Sequence, residues 1–176
     1  MILIRNVINS TVTMQLMKPN DKKVEFAFCD YTNPLHRQSL IYLINHYMTD
    51  PMGGYAPLDK IMSEELVNGL AAHPSNFVLF ARVEEQYIGL VTCFINFSTF
   101  KTKPYLNIHD IIIDKKYRGN HIGRKLIEKC IEIASESGCC KITLEVRDDN
   151  HVAKNLYKSL DFKDCEPVMH FWTKIL

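Results

Sequence analysis

The chain has no apolar run approaching the ~20 residues that a membrane-spanning helix needs. It also lacks an excess of charge of one sign. Against 21 Lys and Arg stand 20 Asp and Glu, a net charge of +1. So close a balance leaves no basic footprint for nucleic acid or for an anionic membrane surface. Cys29, Cys93, Cys130, Cys139, Cys140 and Cys165 include no C-x-x-C pair, and no histidines cluster near them at zinc-ligand spacing, so no metal site is expected. A chain of 176 residues does not need disulfides for stability, and the thiols read as reduced, in a cytoplasmic protein. The opening residues MILIRNVINS carry one arginine and only a brief apolar stretch, unlike a signal peptide. Internal repeats and low-complexity linkers are missing as well.

What is present is a composition for a folded core: 47% hydrophobic and 23% charged residues, with a length that points to one domain. Val24, Phe26 and Phe28 alternate with polar neighbours and predict a strand. Asn33-Pro34 suits a helix start, and the stripe Leu35, Leu40, Ile41, Leu43, Ile44, Tyr47 follows it. A loop, TDPMGGYAP, separates this from a second helix of about 58–72, closed by His73-Pro74. FVLFARVE, YIGLVTCFINF and YLNIHDIIID read as three strands able to form an antiparallel meander. Ile122, Leu126, Ile127, Cys130, Ile131 and Ala134 line one face of a long helix that Gly138 ends. KITLEV predicts a strand, DDNHVAKNLYKSLDF a helix with an Asp/Asn cap, and Phe162–Cys165 with His170–Leu176 a final strand pair. The expected class is α/β (α+β): a single mixed, mostly antiparallel sheet flanked by helices.

Between an apolar strand and the long helix lies IIIDKKYRGNHIGRKL. Glycines and basic residues at that junction suit an anion held on a helix N-terminus. The spacing is wrong for a P-loop, and two glycines are too few for a dinucleotide fingerprint. Arg118 and Gly123 fit R-x-x-G-x-G/A, a pyrophosphate loop, with His121 where the first glycine usually falls. A loop that binds through backbone N–H groups accommodates His121 if its side chain points away. A plain strand-to-helix turn is the competing reading.

That block, followed by TLEVRDDNHVAKNLYKSLDF, resembles the GNAT superfamily of acetyl-CoA-dependent N-acyltransferases. The resemblance covers roughly Phe77 to Leu176, and more loosely the chain from Glu25. In the second block Asn150, Ala153, Leu156, Tyr157 and Phe162 match, while Asp161 replaces a usual glycine. It implies a GNAT-like domain over 21–176, preceded by an N-terminal extension, 1–20. It implies acetyl-CoA as co-substrate, its pantetheine arm paired with the backbone of Ile111, Ile112 and Ile113. The pyrophosphate would meet the amides of Gly119, Asn120, His121, Ile122, Gly123 and Arg124, with Arg118 and Arg124 as possible added charge. Asn150 would contact or position the pantetheine arm, or simply cap its helix.

The resemblance further implies that Tyr157 is the general acid for the leaving thiolate. A phenol, with an ordinary pKa of about 10, is protonated and ready to donate at neutral pH. An attacking alkyl amine must lose a proton. Glu145, Asp110 and His109, in that order, are the candidate bases. Strand alternation puts His109 and Asp110 on opposite sides, so that at most one faces a given cleft. Tyr47, Asp50, Met52 and Tyr55, with Phe94, Phe97 and Phe100 opposite, are expected to form the acceptor wall. The acceptor is an amine of a small molecule or a peptide. A catalytically silent acyl-CoA-binding sensor or scaffold is the alternative, and a thiol-nucleophile enzyme has no Cys/His signature behind it. The apolar residues Ile2, Leu3, Ile4, Val7, Ile8, Val12 and Met14 suggest a homodimer made through the N-terminal segment.

Overall fold

A computed structural model describes residues 23–176. The N-terminal extension, and the homodimer expected from it, fall outside the described residues. The chain up to Glu145 forms one unit, and Val146–Leu176 forms a second.

The first unit is built on a five-stranded sheet in the order β1-β2-β3-β4-β5. Its strands are β1 (Val24–Phe28), β2 (Asn76–Val83), β3 (Gln86–Ser98), β4 (Lys103–Ile113) and β5 (Ile142–Leu144). β1 to β4 pair antiparallel, the last three as the expected meander, and β5 joins β4 in parallel. Two helices precede the meander. α1 (Pro34–Met48) starts where the sequence says: the Asn33 side chain accepts from the Leu35 amide, and Pro34 needs no amide partner in the first turn. α2 (Lys60–Ala72) begins after Asp59, whose carboxylate accepts from the Met62 amide. Both pack on one face of the sheet. Leu40, Leu43 and Ile44 of α1 and Val67 of α2 bury against Val78, Phe80, Leu90 and Ile112. Complete burial of such a side chain is worth roughly 1.5–3 kcal/mol.

α3 (Ile122–Glu136) covers the other face, where Cys130 meets Cys93 of β3 at an Sγ–Sγ distance of 3.8 Å. Ile122, Leu126, Ile127, Cys130, Ile133 and Ala134 make its buried stripe, while Ile131 is left at the surface. Gly138 leaves the helix at φ 68°, as an end glycine does.

The second unit holds α4 (His151–Lys158), capped by the Asn150 side chain, which accepts from the Ala153 amide at 3.1 Å. No strand follows α4 among the described residues, which corrects the strand pair expected over 162–176. Strand propensity measures how well side chains suit a half-buried pleated surface. Val168, Met169, Phe171, Trp172, Ile175 and Leu176 suit one, but all are exposed. Among the described residues no helix is long and apolar enough to cross a membrane.

Candidate active site

β4 organises the site of the first unit. On one side it pairs with β3 from Lys103 to Ile113. On the other side β5 pairs only with Leu106, Asn107 and Ile108. From His109 to Ile113 that edge of β4 has no strand partner among the described residues. The open edge therefore presents main-chain donors and acceptors at the residues expected to pair with an extended ligand, Ile111 to Ile113. Ile112 is buried in the core, and Ile111 and Ile113 are half-buried, so their side chains pack while their backbone serves.

Where the edge ends, the chain turns through Asp114 and a short 3-10 turn, Lys115–Tyr117, into the loop before α3. Gly119 and His121 both have positive φ, 81° and 58°. The structure thus keeps a glycine-like backbone at His121, and the imidazole is exposed. Histidine tolerates the left-handed region better than most residues do. His121 occupies the helix N-cap without making a side-chain cap bond, and no acidic residue sits in the first turn. His121 thus gives the first amides of α3 no side-chain cap, and the helix dipole adds positive potential there. The Asn120 amide group turns back onto the carbonyls of Tyr117 and Arg118 at 3.0 and 3.3 Å, which fixes the loop from within.

The loop's arginines are engaged by protein groups. Arg124 pairs with Glu128 at 3.2 Å. Arg118 donates from Nε to the Ile113 carbonyl and from Nη2 to Asp50, both at 2.9 Å. Asp50, expected in the acceptor wall, is instead buried and paired with Arg118.

At the other end of the open edge, the register of β3 against β4 shifts. Thr92 faces Asp110 and Cys93 faces Ile108, so His109 is an extra residue, a β-bulge. This corrects the expectation that His109 and Asp110 face opposite sides. Asp110 lies opposite Thr92, and the His109 ring meets the Phe94 ring edge-on at 5.4 Å. Thr92 and Phe94 are two apart on β3 and share a face. Both candidate bases therefore lie on the side covered by α1 and α2. His73, at the end of α2, packs on the same Phe94 ring at 4.9 Å. Burial holds the Asp110 carboxyl above its ordinary range, partly offset by His109 and by Thr92. The buried Thr92 hydroxyl makes no hydrogen bond of ordinary geometry. Thr92 stands opposite Asp110 in the register of β3 against β4. On the same stretch Asn107 donates to Thr143 of β5 at 3.1 Å. Glu145 follows β5, two residues past Thr143, and is exposed. Of the other expected wall residues, Tyr55, Phe97 and Phe100 are exposed, Phe100 almost completely.

In the second unit Tyr157 is buried in α4, with its ring 5.9 Å from that of Phe162. Asp161, standing where the motif usually has glycine, has φ 64°. Aspartate, like histidine, is among the residues that enter this region most readily. At both departures from the motif the backbone takes a conformation that glycine adopts freely. The His109 bulge, the Thr92 hydroxyl and the Asp50–Arg118 pair were missed by sequence reasoning. They rest on pairing between strands and on contacts across dozens of residues, which leave no local signal.

Thialysine N-epsilon-acetyltransferase of Mus musculus is 38% identical over 114 residues, 60% of this chain and 66% of that protein. The Bos taurus protein of the same name is 36% identical over 77 residues, 44% of this chain and 45% of that one. An uncharacterized N-acetyltransferase of Archaeoglobus fulgidus is 33% identical over 95 residues, 53% of this chain and 65% of that one. In each case the match spans less than two thirds of the relative. Among solved structures, an aminoglycoside acetyltransferase from an uncultured soil metagenomic sample, in complex with sisomicin, aligns with a TM-score of 0.71. It is 21% identical and covers 87% of this chain and 97% of that one, a likeness of fold. The family model described as acetyltransferase (GNAT) matches residues 40–162, a range that takes in the open edge of β4, the loop before α3 and Tyr157. The chain belongs to the GNAT family of acetyltransferases, whose co-substrate is acetyl-CoA.

Proposed function

We propose that this protein transfers an acetyl group from acetyl-CoA to a primary amine, by direct attack in a ternary complex. The observation that carries the reading is the open edge of β4 running into the uncapped N-terminus of α3. The two suit the two chemistries of the co-substrate. The edge from His109 to Ile113 offers strand-like hydrogen bonds to the amide-bearing arm. The amides from Gly119 to Arg124 offer donors to the pyrophosphate.

Acetyl-CoA supplies a thioester carbonyl, at which a C–N bond forms while the C–S bond breaks. The chain's own residues handle the protons. A primary alkyl amine is mostly protonated at pH 7 and must lose that proton before it attacks. Asp110, in the ionised state and with His109 beside it, takes the proton directly or through water. Its half-buried position strengthens it as a base, because burial disfavours the carboxylate. Glu145, exposed beyond β5, is the second candidate. Tyr157, by its place in the matched motif, gives a proton to the departing thiolate.

The test is thiol release from acetyl-CoA across a panel of amines that includes thialysine, an aminoglycoside and peptide N-termini. The first follows the name of the relatives, the second that of the fold neighbour, and the third the peptide amine expected from the sequence. Release with any of them supports transfer. CoA-dependent thermal stabilisation without release from any amine would select the silent acyl-CoA-binding module instead. With an active amine in hand, Tyr157→Phe should lower the rate ~100- to 10,000-fold and leave CoA-dependent stabilisation intact. Unchanged turnover would reduce Tyr157 to packing.

A further inference from the structure

The segment 113–118 is fastened to the end of α1 and the turn after it. The Tyr42 hydroxyl donates to Asp114 at 2.8 Å. The Lys115 amide donates to His46 Nε2 at 3.1 Å. The third fastening is the Arg118–Asp50 pair, which joins residues 68 apart in sequence.

Asp50 is built for that contact. Its side chain is almost fully buried, whereas Arg118 remains partly exposed. Oδ1 accepts from the Met52 amide at 3.0 Å, and the Asp50 carbonyl accepts from the amides of Gly53 and Gly54. Oδ2 is left for Arg118, with the Lys115 ammonium farther off at 3.9 Å. Burial opposes ionisation of this carboxyl. The Met52 amide and the Arg118 guanidinium outweigh it and hold the group below the ordinary carboxylate range. The turn packs closely on the end of α1, where a Cβ at Gly53 would lie 2.1 Å from the Tyr47 carbonyl oxygen, so that only glycine fits. Asp50 thus stands in a turn hydrogen-bonded to its own carboxylate and carbonyl, and Arg118 is held between it and the last carbonyl of β4.

We propose that Asp50 is a positioning residue for the phosphate-binding loop, holding Arg118 as a strut that sets the path from Ile113 to Gly123. Arg118 then acts on the loop's shape, and the loop's amides act on the anion. The inference rests on the acetyl-CoA reading above for its function, and on geometry alone for the strut.

Asp50→Asn separates this from the simpler idea that Arg118 is itself a phosphate ligand restrained by Asp50. The substitution keeps an acceptor for the Met52 amide and removes the charge that holds the guanidinium. If Arg118 is a strut, CoA affinity measured by calorimetry should fall about tenfold, although net positive charge has risen. If Arg118 is a restrained ligand, freeing it should tighten CoA binding; tighter or unchanged affinity overturns the proposal. Asp50→Asn with Arg118→Gln should bind CoA no more weakly than Arg118→Gln alone, since both act through one contact. Once an acceptor is known, KM for acetyl-CoA should rise and KM for the acceptor should hold.

Amide hydrogen exchange in the CoA-free protein supplies the second readout. Exchange over 117–124 should quicken about tenfold in Asp50→Asn, with the β2–β3 amides unchanged. Unaltered exchange over 117–124 overturns the strut. Should wild-type protein fail to bind CoA, the acetyltransferase reading falls, and the exchange measurement still decides the strut. Should Asp50→Asn not fold, Arg118→Lys, which loses the Nε bond to Ile113, takes its place in the exchange measurement, with the same expectation over 117–124.

Discussion

The two ends of the open β4 edge are built by different means. At the Ile113 end, the loop before α3 offers backbone amides, and its side chains brace the loop: Asn120 onto its own carbonyls, Arg118 onto Ile113 and Asp50. At the His109 end, the bulge offers side chains, an imidazole and a half-buried carboxyl on one face. A site made of backbone tolerates a change of residue wherever φ and space allow. A site made of side chains depends on register, because a one-residue slip sends each side chain to the other face. That is why His121 can stand in a glycine position, and why the face occupied by Asp110 turned on a single inserted residue.

The largest effect expected from this contrast is at the side-chain end. Asp110→Asn should lower the acetylation rate ~100- to 10,000-fold if Asp110 is the base. The same change should raise the melting temperature. Burial lifts the folded pKa of Asp110 above its unfolded value. The stability linked to the protonated form is therefore complete in acid and lost as pH rises through the folded value. At pH 8 wild type carries that loss and the asparagine variant does not. Each kcal/mol regained should appear as about 2–4 °C in a chain of this size. The gap should close as pH falls toward the ordinary carboxylate value. An Asp110→Asn protein that melts no higher than wild type at pH 8 would mean that burial does not strain the carboxyl.

A smaller effect, on binding alone, belongs to the backbone end. CoA at ~100 times its dissociation constant should stabilise wild type by about 2.7 kcal/mol. Gly123→Glu should remove that shift by setting an anion against the uncapped amides, and the CoA-free protein should still melt cooperatively. A retained shift would place the phosphates elsewhere.

The smallest effects test backbone tolerance itself. His121 and Asp161 hold φ of 58° and 64°. A non-glycine residue there costs roughly 1 kcal/mol relative to glycine, less for residues with a short polar side chain. His121→Gly and Asp161→Gly should each raise unfolding free energy by up to about 1 kcal/mol in denaturant titrations. His121→Gly should leave CoA affinity within a few-fold of wild type. A large loss of affinity would show that the imidazole, and not only the amide, takes part in binding.

Much of the fold was legible. Asn33-Pro34 and Asn150 mark helix starts because a capping side chain acts within three residues, and the α3 stripe from Ile122 to Ala134 repeats at helical period. The meander was legible from short connections between alternating apolar runs. The strand pair expected over 162–176 did not form, because propensity alone does not supply a partner. The loop before α3 could be read as an anion site, since its glycines and its place at a helix start are local facts.

Local sequence by itself determined most of the elements, their order and the glycine-marked turn before α3, because caps, periodicity and glycine positions act over a few bonds. Only the tertiary structure decided that β5 leaves β4 after Ile108, and that His109 is the extra residue against β3. It alone paired Asp50 with Arg118. Each of these depends on hydrogen bonds and charges brought together from distant parts of the chain, and packing settles them only once the sheet and its helices have formed.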